Sequence, residues 1–476
     1  MKLDASYNQD VEGAKDDFSQ LGVGIVHFGV GAFHRAHQAV YTHKAMAKHG
    51  GDWCILGVSL QTTQTVDALN DQGCLYSLVT RGAKGTEFQI IRSIKQCEAA
   101  TRGTATIFQH LASPNVRIVS MTVTEKAYGI LRAEGGVDIT HESIVHDLAN
   151  PDNPRGVIGI ITKGLRLRKT KGLKPFTVMC CDNLPQNGDL VQGGVIDFAK
   201  RIGDRELAIW VEEEGAFPNS MVDRITPATT TVLIEDVSQH LGVHDAVPIE
   251  TEPFSQWVVE DNFVDGRPSW NDVGVLFVDD VVSYERMKLR ILNGAHSLIA
   301  YSGFLKGHKY VRDAMADERI AEHVHLYMQA AAKTLAPLDD ISFETYAAEL
   351  IERFKNPNIA HETYQIAMDG SQKMPQRIFE PALDSLRTGL PLEPFAFATA
   401  AWIFYCRGEH TSGETYALRD PREEELLSAF NSGNNDVNKV CDAFFSLRDL
   451  FPKELAENAH WHESVSHNLR LILEDV

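Results

Sequence analysis

Cysteine is sparse and arranged to no chemical purpose. Cys54, Cys74, Cys97, Cys180, Cys181, Cys406 and Cys441 are odd in number and form no C-x-x-C pair. That argues against a disulfide framework and reads as reduced thiols in a cytoplasmic protein. Cys180 and Cys181 fit small buried residues better than nucleophiles. Basic charge is also short: 45 Lys and Arg against 65 Asp and Glu give a formal net charge of -20. Nucleic acid and membrane surfaces, which attract basic patches, are therefore not expected as partners. A small anionic substrate in a local basic pocket stays compatible with that charge. No apolar run reaches the roughly 20 residues that span a bilayer. Residues 1–20 lack the apolar core of a signal peptide and read as a loose arm. Repeats, heptads and low-complexity tracts are missing as well. His34 and His37 have H-x-x-H spacing, but no glutamate follows His34, so no zinc site and no metal are expected.

What remains is the composition of a water-soluble globular chain, 43% hydrophobic and 23% charged over 476 residues. That length is too great for one ordinary core, so two domains are expected. From Gly24 to about Tyr128, short apolar runs (Ile25–Phe28, Cys54–Val58, Leu75–Val79, Gln89–Ile91, Val116–Val123) alternate with helix-compatible stretches. This rhythm predicts a largely parallel α/β sheet. A helix is expected over Val157–Lys169, a buried strand over Phe176–Cys181 and helix-like sequence over Asp189–Glu214. After about Ser283 long helical patterns dominate. The expected domains are residues 1–284, Rossmann-like and dinucleotide-binding, and residues 285–476, mostly α-helical.

Two motifs carry the chemistry. In the first, the apolar run Ile25-Val26-His27-Phe28 ends in Gly29-Val30-Gly31 before a helix-compatible stretch. A first strand, a tight turn and a phosphate-facing helix begin this way in dinucleotide-binding folds. Gly29 allows the turn, and Gly31 lets the backbone approach a pyrophosphate. The third glycine of the usual fingerprint is replaced by His34, and an ordinary strand-to-helix turn would look similar. In the second motif, Lys288-Leu289-Arg290-Ile291-Leu292-Asn293-Gly294-Ala295-His296, a helical wheel puts Ile291, Leu292, Ala295, Leu298 and Ile299 on one apolar face. Lys288, Asn293 and His296 then flank it within an arc of roughly 140°. Desolvation lowers a lysine's pKa, and such a lysine can take a proton from an alcohol near neutral pH. A snorkelling lysine beside a core histidine gives the same pattern.

With further segments these motifs resemble one family over nearly the whole chain. The segments are GVGAFHRAH (Gly29–His37), SMTVTEKAY (Ser120–Tyr128), FTVMCCDNLPQNG (Phe176–Gly188), FPNSMVDRITP (Phe217–Pro227), PFSQWVVEDNFVDGRP (Pro253–Pro268) and KLRILNGAH (Lys288–His296). Their order resembles the polyol-specific long-chain dehydrogenases, which include mannitol 2-dehydrogenase and fructuronate reductase. The resemblance implies a metal-independent oxidoreductase with Lys288 as catalytic base. It implies that Asn183 and Asn293 donate hydrogen bonds to the reacting oxygen, as neutral amides can, and that His296 holds that oxygen. Asp223 would accept a substrate hydroxyl, although a salt bridge to Arg224 is the plainer role. Asn187 reads better as a turn residue than as a catalytic amide. Glu285 would line a proton path from the base, or form an i,i+3 ion pair. Phe28, Gly29, Gly31, Ala32, Phe33, Thr122, Glu125 and Asn183 would face the cofactor.

Within the family, Gln365–Arg377 resembles the fructuronate reductase branch, whereas CDNLPQNG and FPNSMVDRITP resemble mannitol dehydrogenase equally well. Lys373 would contact a substrate oxygen, and Arg377 could fork onto a carboxylate or be an ordinary helix-end arginine. The expected substrate pair is D-mannonate and D-fructuronate, with D-mannitol and D-fructose, or D-arabinitol, as alternatives. The stretch Val58–Thr65 has neither an acid to grip an adenosine ribose nor a base to hold a 2′-phosphate. The cofactor expected is NAD(H), with NADP left open. A nucleotide-binding protein that had lost catalysis is the competing class, and the intact Lys288, Asn293, His296 and Asn183 speak against it. Expected partners are a small sugar or sugar acid and, at most, a few copies of the same chain: a monomer or small homo-oligomer.

Overall fold

A computed structural model describes residues 2–124, 127–131, 135–410, 412–434 and 436–474. The chain divides into two compact units, Met1–Val282 and Ser283–Val476. Among the described residues, thirteen strands lie in the first unit. In chain order they are β1 (Val23–Phe28), β2 (Cys54–Ser59), β3 (Tyr76–Gly82), β4 (Gly85–Ile91), β5 (Ile94–Ala99), β6 (Ile118–Met121), β7 (Ile130–Leu131), β8 (Gly136–Val137), β9 (Thr177–Cys180), β10 (Ser220–Asp223), β11 (Ile249–Thr251), β12 (Gln256–Glu260) and β13 (Leu276–Val278).

The central sheet has the order β5-β2-β1-β6-β9, and all four of its pairings are parallel. Such a sheet is covered on both faces and needs apolar residues on both; Val26, Phe28, Leu56 and Val119 fill one side, and Ile25, Ile55, Ile118 and Met179 the other. The chain leaves β1 for β2 on one side and later returns to β6 on the other. The strand order therefore reverses at β1, and the loops after β1 and β6 flank the crevice where such sheets take ligands. This is the Rossmann-like arrangement expected.

Two expectations, the single parallel sheet and the loose arm, differ from the structure. Leu75–Val79 and Gln89–Ile91 are strands, but in a separate sheet, β11-β3-β4, where β3 and β4 form an antiparallel hairpin. Only Ala83 and Lys84 join them, far too short a connection for a parallel crossover. The parallel strand beside β2 is instead β5, Ile94–Ala99, whose alternating polar residues hid it. Helix-like Asp189–Glu214 is two helices, Asn187–Arg201 and Arg205–Glu214. Gly203 turns between them at φ +85, and Asp204 caps the second by accepting from the Leu207 N–H. The first residues are no loose arm. Leu3, Tyr7 and Ala14 are buried in a cluster with Leu75, Val79 and Ile90, and the Leu3 N–H donates to His244 O.

The second unit is helical. Helix Gly294–Leu305 is buried over most of its length and packs against helices Glu318–Lys333 and Glu393–Tyr405. No helix among the described residues is long and apolar enough to cross a membrane.

Candidate functional site

In the first unit Phe28, Gly29, Gly31, Ala32, Phe33 and Thr122 gather at the carboxyl ends of β1 and β6. The Thr122 N–H donates to Phe28 O at 2.8 Å, and its hydroxyl donates to Gly29 O at 2.9 Å. Gly29 sits at φ +95, and a Cβ there would lie 2.1 Å from Thr122 O. No larger residue fits this turn. Gly31 differs: its φ is -81, and a Cβ would meet nothing nearer than Gly29 O at 3.8 Å. The space above Gly31 is open, as a cradle for a pyrophosphate must be. Gly31 is exposed, and Ala32 and Phe33 are half-buried. These residues fit a dinucleotide. His34, in the place of the third glycine, is buried and stacks on His27 of β1 with ring centroids 3.4 Å apart. Burial lowers the His27 pKa to about 3, and burial, then the neighbouring His27, holds the His34 pKa well below its usual value, so both rings are neutral. Glu125 lies outside the described residues.

After β9 the chain exposes Asn183 and buries Asn187. The Asn187 amide donates to Asp182 O at 3.1 Å and Ser220 O at 2.8 Å, and its carbonyl accepts from the Ser220 N–H at 2.9 Å. Asn187 thus splices β9 to β10. Asp223 ends β10 and is buried. The adjacent Arg224 guanidinium donates to the carbonyls of Ala36 and Glu252. Cys180 is buried beneath this loop, and its thiol is pushed up to about 12, chiefly by desolvation. It is no nucleophile.

In the second unit Lys288 is buried and stands at the start of a π-helical segment, Lys288–Asn293. The Gly294 N–H reaches back to Leu289 O, five residues away, which widens the turn. The 100° wheel of the sequence reading therefore fails across this stretch. Asn293 is half-buried. His296 is buried on the following α-helical turn, and its Nε2 has no hydrogen-bond partner among the described residues. Desolvation first, then His361 and the charges of Arg353, Arg377 and Lys288, hold its pKa well below the usual value. Glu285 is half-buried on helix Val282–Met287, one turn before Lys288.

A second π-helical segment, Pro375–Phe379, carries Arg377. Its Nη1 donates to Asn293 O at 3.3 Å and Ser297 Oγ at 3.1 Å. Lys373, on the preceding turn, donates to Ile366 O at 3.2 Å and Met368 O at 2.6 Å. Burial, then Arg377, lowers the Lys373 pKa. Lys373, Arg377, Asn293 and His296 are thus gathered in one unit. The described residues hold no group of three or more His, Cys, Asp or Glu arranged for a metal ion.

Other residues near these loops escaped the sequence reading. Asp182 accepts from the Val123 N–H at 2.9 Å and the Tyr128 hydroxyl at 2.6 Å, fixing the β6 loop beside the glycine turn. Arg102 follows β5, whose Ala99 pairs with Ser59 of β2, and is held by Asp67. Base and acid thus both stand near the end of β2, where the local sequence shows neither. Arg353 and His361 flank His296; the two imidazole centroids are 5.2 Å apart. Only residues distant in the chain bring these groups in, so no local pattern marked them.

Residues 23–272 match the mannitol dehydrogenase Rossmann domain, and residues 280–473 match the mannitol dehydrogenase C-terminal domain. The chain is 42% identical over 455 residues to D-mannonate oxidoreductase of Escherichia coli strain K12, covering 94% of this chain and 93% of that protein. It is 39% identical over 461 residues to mannitol 2-dehydrogenase of Aspergillus fumigatus, covering 95% of this chain and 91% of the other. Among solved structures, Pseudomonas fluorescens mannitol 2-dehydrogenase, in a ternary complex with NAD and D-mannitol, superposes with a TM-score of 0.83 at 35% identity, over 100% of this chain and 97% of that one. Both halves of the chain and almost its full length are accounted for by these matches: the chain belongs to the mannitol dehydrogenase family.

Proposed function

We propose that the protein is an NAD(H)-dependent, metal-independent oxidoreductase that interconverts a secondary alcohol of a sugar acid or polyol with the corresponding ketone. The observation that carries this reading is the buried Lys288 on a π-helical turn that ends in Asn293, with neutral His296 on the next turn. Bound NAD+ supplies the hydride acceptor, and NADH the hydride donor. In oxidation Lys288 Nζ takes the hydroxyl proton while hydride leaves the carbon, and in reduction it returns that proton. Asn293 and Asn183 donate hydrogen bonds to the oxygen as charge develops on it. Among the described residues none hydrogen-bonds the Asn293 carboxamide, which leaves its donors available. His296, kept neutral, contributes one further donor or acceptor, and Glu285 one helical turn away relays the lysine's proton. Asp223 accepts a substrate hydroxyl. The residues from Phe28 to Phe33, with Thr122, hold the dinucleotide, helped by Glu125.

For the substrate we favour D-fructuronate reduced to D-mannonate. The charged groups that perturb His296 are all cations, Arg353, Arg377 and Lys288, and Lys373 lies close enough to Arg377 to be perturbed by it. A carboxylate relieves that excess of positive charge; a neutral hexulose does not. The Arg377 hydrogen bonds among the described residues all leave from Nη1, so Nε and Nη2 can fork onto a carboxylate. The second reading, D-fructose to D-mannitol, is favoured by the CDNLPQNG segment. Turnover of fructuronate, tagaturonate, fructose and xylulose with NADH and with NADPH separates the two. The base is tested by Lys288→Ala, which should lower turnover by several orders of magnitude and leave NADH affinity nearly intact. Normal turnover in that folded variant overturns the mechanism.

A further inference from the structure

The two π-helical segments of the second unit meet at one side chain. The Tyr327 hydroxyl, on helix Glu318–Lys333, donates to Arg290 O at 2.9 Å and to Arg377 O at 2.8 Å. Each of these carbonyls has been deprived of its ordinary helical donor. In an α-helix Arg290 O would accept from the Gly294 N–H, but the widened turn sends that N–H to Leu289 O and Ile291 O. Four residues beyond Arg377 stands Pro381, which has no N–H to give. Pro375 likewise opens the second segment, where the Glu380 N–H reaches back to Pro375 O. A buried carbonyl without a donor is costly, and one phenol serves both, shared as a three-centre bond or alternating between them.

The fit around the phenol is tight. Tyr327 is fully buried, and its ring meets Phe395 edge-on with centroids 5.5 Å apart. Burial raises its pKa, so the hydroxyl stays protonated and remains a donor. A Cβ on Gly294 would lie 1.9 Å from the hydroxyl oxygen. Glycine at 294 is thus the clearance through which the phenol reaches the π turn. The Arg377 Nη1 bond to Asn293 O closes the same junction from the other side.

We infer that Tyr327 is a positioning residue: its hydroxyl locks the segment that carries Lys288 and Asn293 to the segment that carries Lys373 and Arg377. The inference rests on the roles proposed above for those residues. Base and substrate cations sit on separate segments, each with an irregular turn; the first, where Gly294 keeps its N–H, can relax towards ordinary helix, whereas Pro381 denies the second that bond. One hydroxyl bonded to both holds the base and the substrate-binding groups in a common register, so its loss disturbs proton transfer and substrate binding together.

Tyr327→Phe removes the hydroxyl and keeps the ring. With the best ketose or ketouronate of the substrate panel, kcat should fall about 10- to 100-fold. The KM for the sugar should rise several-fold, with the NADH dissociation constant unchanged. Gly294→Ala, which displaces the phenol with Tyr327 intact, should reproduce the same paired change; if it does not fold, Tyr327→Phe alone decides. Wild-type kcat and sugar KM in Tyr327→Phe, with only a lowered unfolding temperature, overturn the inference and leave the phenol a purely structural group. A change in kcat or in KM alone also overturns it, because the lock requires both. Lys288→Ala is run in parallel. If it is inactive while Tyr327→Phe is normal, the positioning inference fails alone; if it keeps turnover, the base assignment fails and takes the inference with it.

Discussion

The two glycines of the β1 turn should fail in opposite ways. Gly29→Ala forces a side chain into φ +95 and places its Cβ 2.1 Å from Thr122 O and 2.7 Å from Thr122 C. Thr122 cannot retreat, because its N–H is bonded to Phe28 O and its hydroxyl to Gly29 O. Backbone strain and overpacking together should cost about 3–5 kcal/mol, a large share of a domain's stability. In a unit of this size that lowers the unfolding temperature by roughly 10 °C. Gly31→Val should be nearly neutral for folding, within about 0.5 kcal/mol. Its backbone is ordinary at φ -81 and ψ -170, and the nearest atom to a Cβ is 3.8 Å away. The new side chain instead fills the space through which the backbone meets the pyrophosphate, so NADH affinity should fall about 10- to 100-fold, or 1.4–2.8 kcal/mol. Thermal unfolding without nucleotide, paired with titration of NADH fluorescence, reads both effects. Wild-type NADH affinity in Gly31→Val refutes the placement of the pyrophosphate, and wild-type stability in Gly29→Ala refutes the steric argument.

Acid should destabilise the first unit through His27. Its pKa is about 3 in the folded protein against 6.5 for the free side chain. The unfolded chain therefore takes up a proton below pH 6.5 that the native state refuses, and stability present above that pH is lost as pH falls. The loss at pH 5 is about 2 kcal/mol; an equal drop in urea midpoint between pH 7.5 and 5 in wild type and His27→Gln would contradict it. Turnover should survive dialysis against a strong chelator, since a lysine base and amide donors need no Lewis acid; a loss that zinc restores would contradict this. Arg377→Ala should raise the KM for fructuronate relative to that for fructose by about 30-fold or more, the value of a lost charged pair at roughly 2 kcal/mol. Comparing the two substrates in one variant cancels any loosening of the Asn293 contact, and an unchanged ratio would remove Arg377 from carboxylate binding.

Much of this protein is written locally. The apolar run that ends in Gly29-Val30-Gly31 specifies β1 and its turn, because a buried parallel strand and a positive-φ turn each demand particular residues within a few positions. The helical character after Ser283 likewise follows from periodicity in adjacent turns, and so do the parallel strands β1, β2, β6 and β9. Other features belong to tertiary structure alone. Leu75–Val79 has the composition of any buried strand, and only the two-residue link to β4 puts it in an antiparallel hairpin. The first residues look polar and loose, yet Leu3, Tyr7 and Ala14 find a cluster formed by segments far along the chain. The π turn at Lys288 has no signature of its own. A phenol 37 residues beyond Arg290 donates to the carbonyl that the Gly294 N–H passes by, and the same phenol, 50 residues before Arg377, donates to the carbonyl that Pro381 has no N–H to serve. Sequence by itself determined which chemical groups this protein carries and on which kinds of element. The joining of the Lys288 segment to the Arg377 segment was decided by hydrogen bonds from a residue that only the folded chain brings within 3 Å of both.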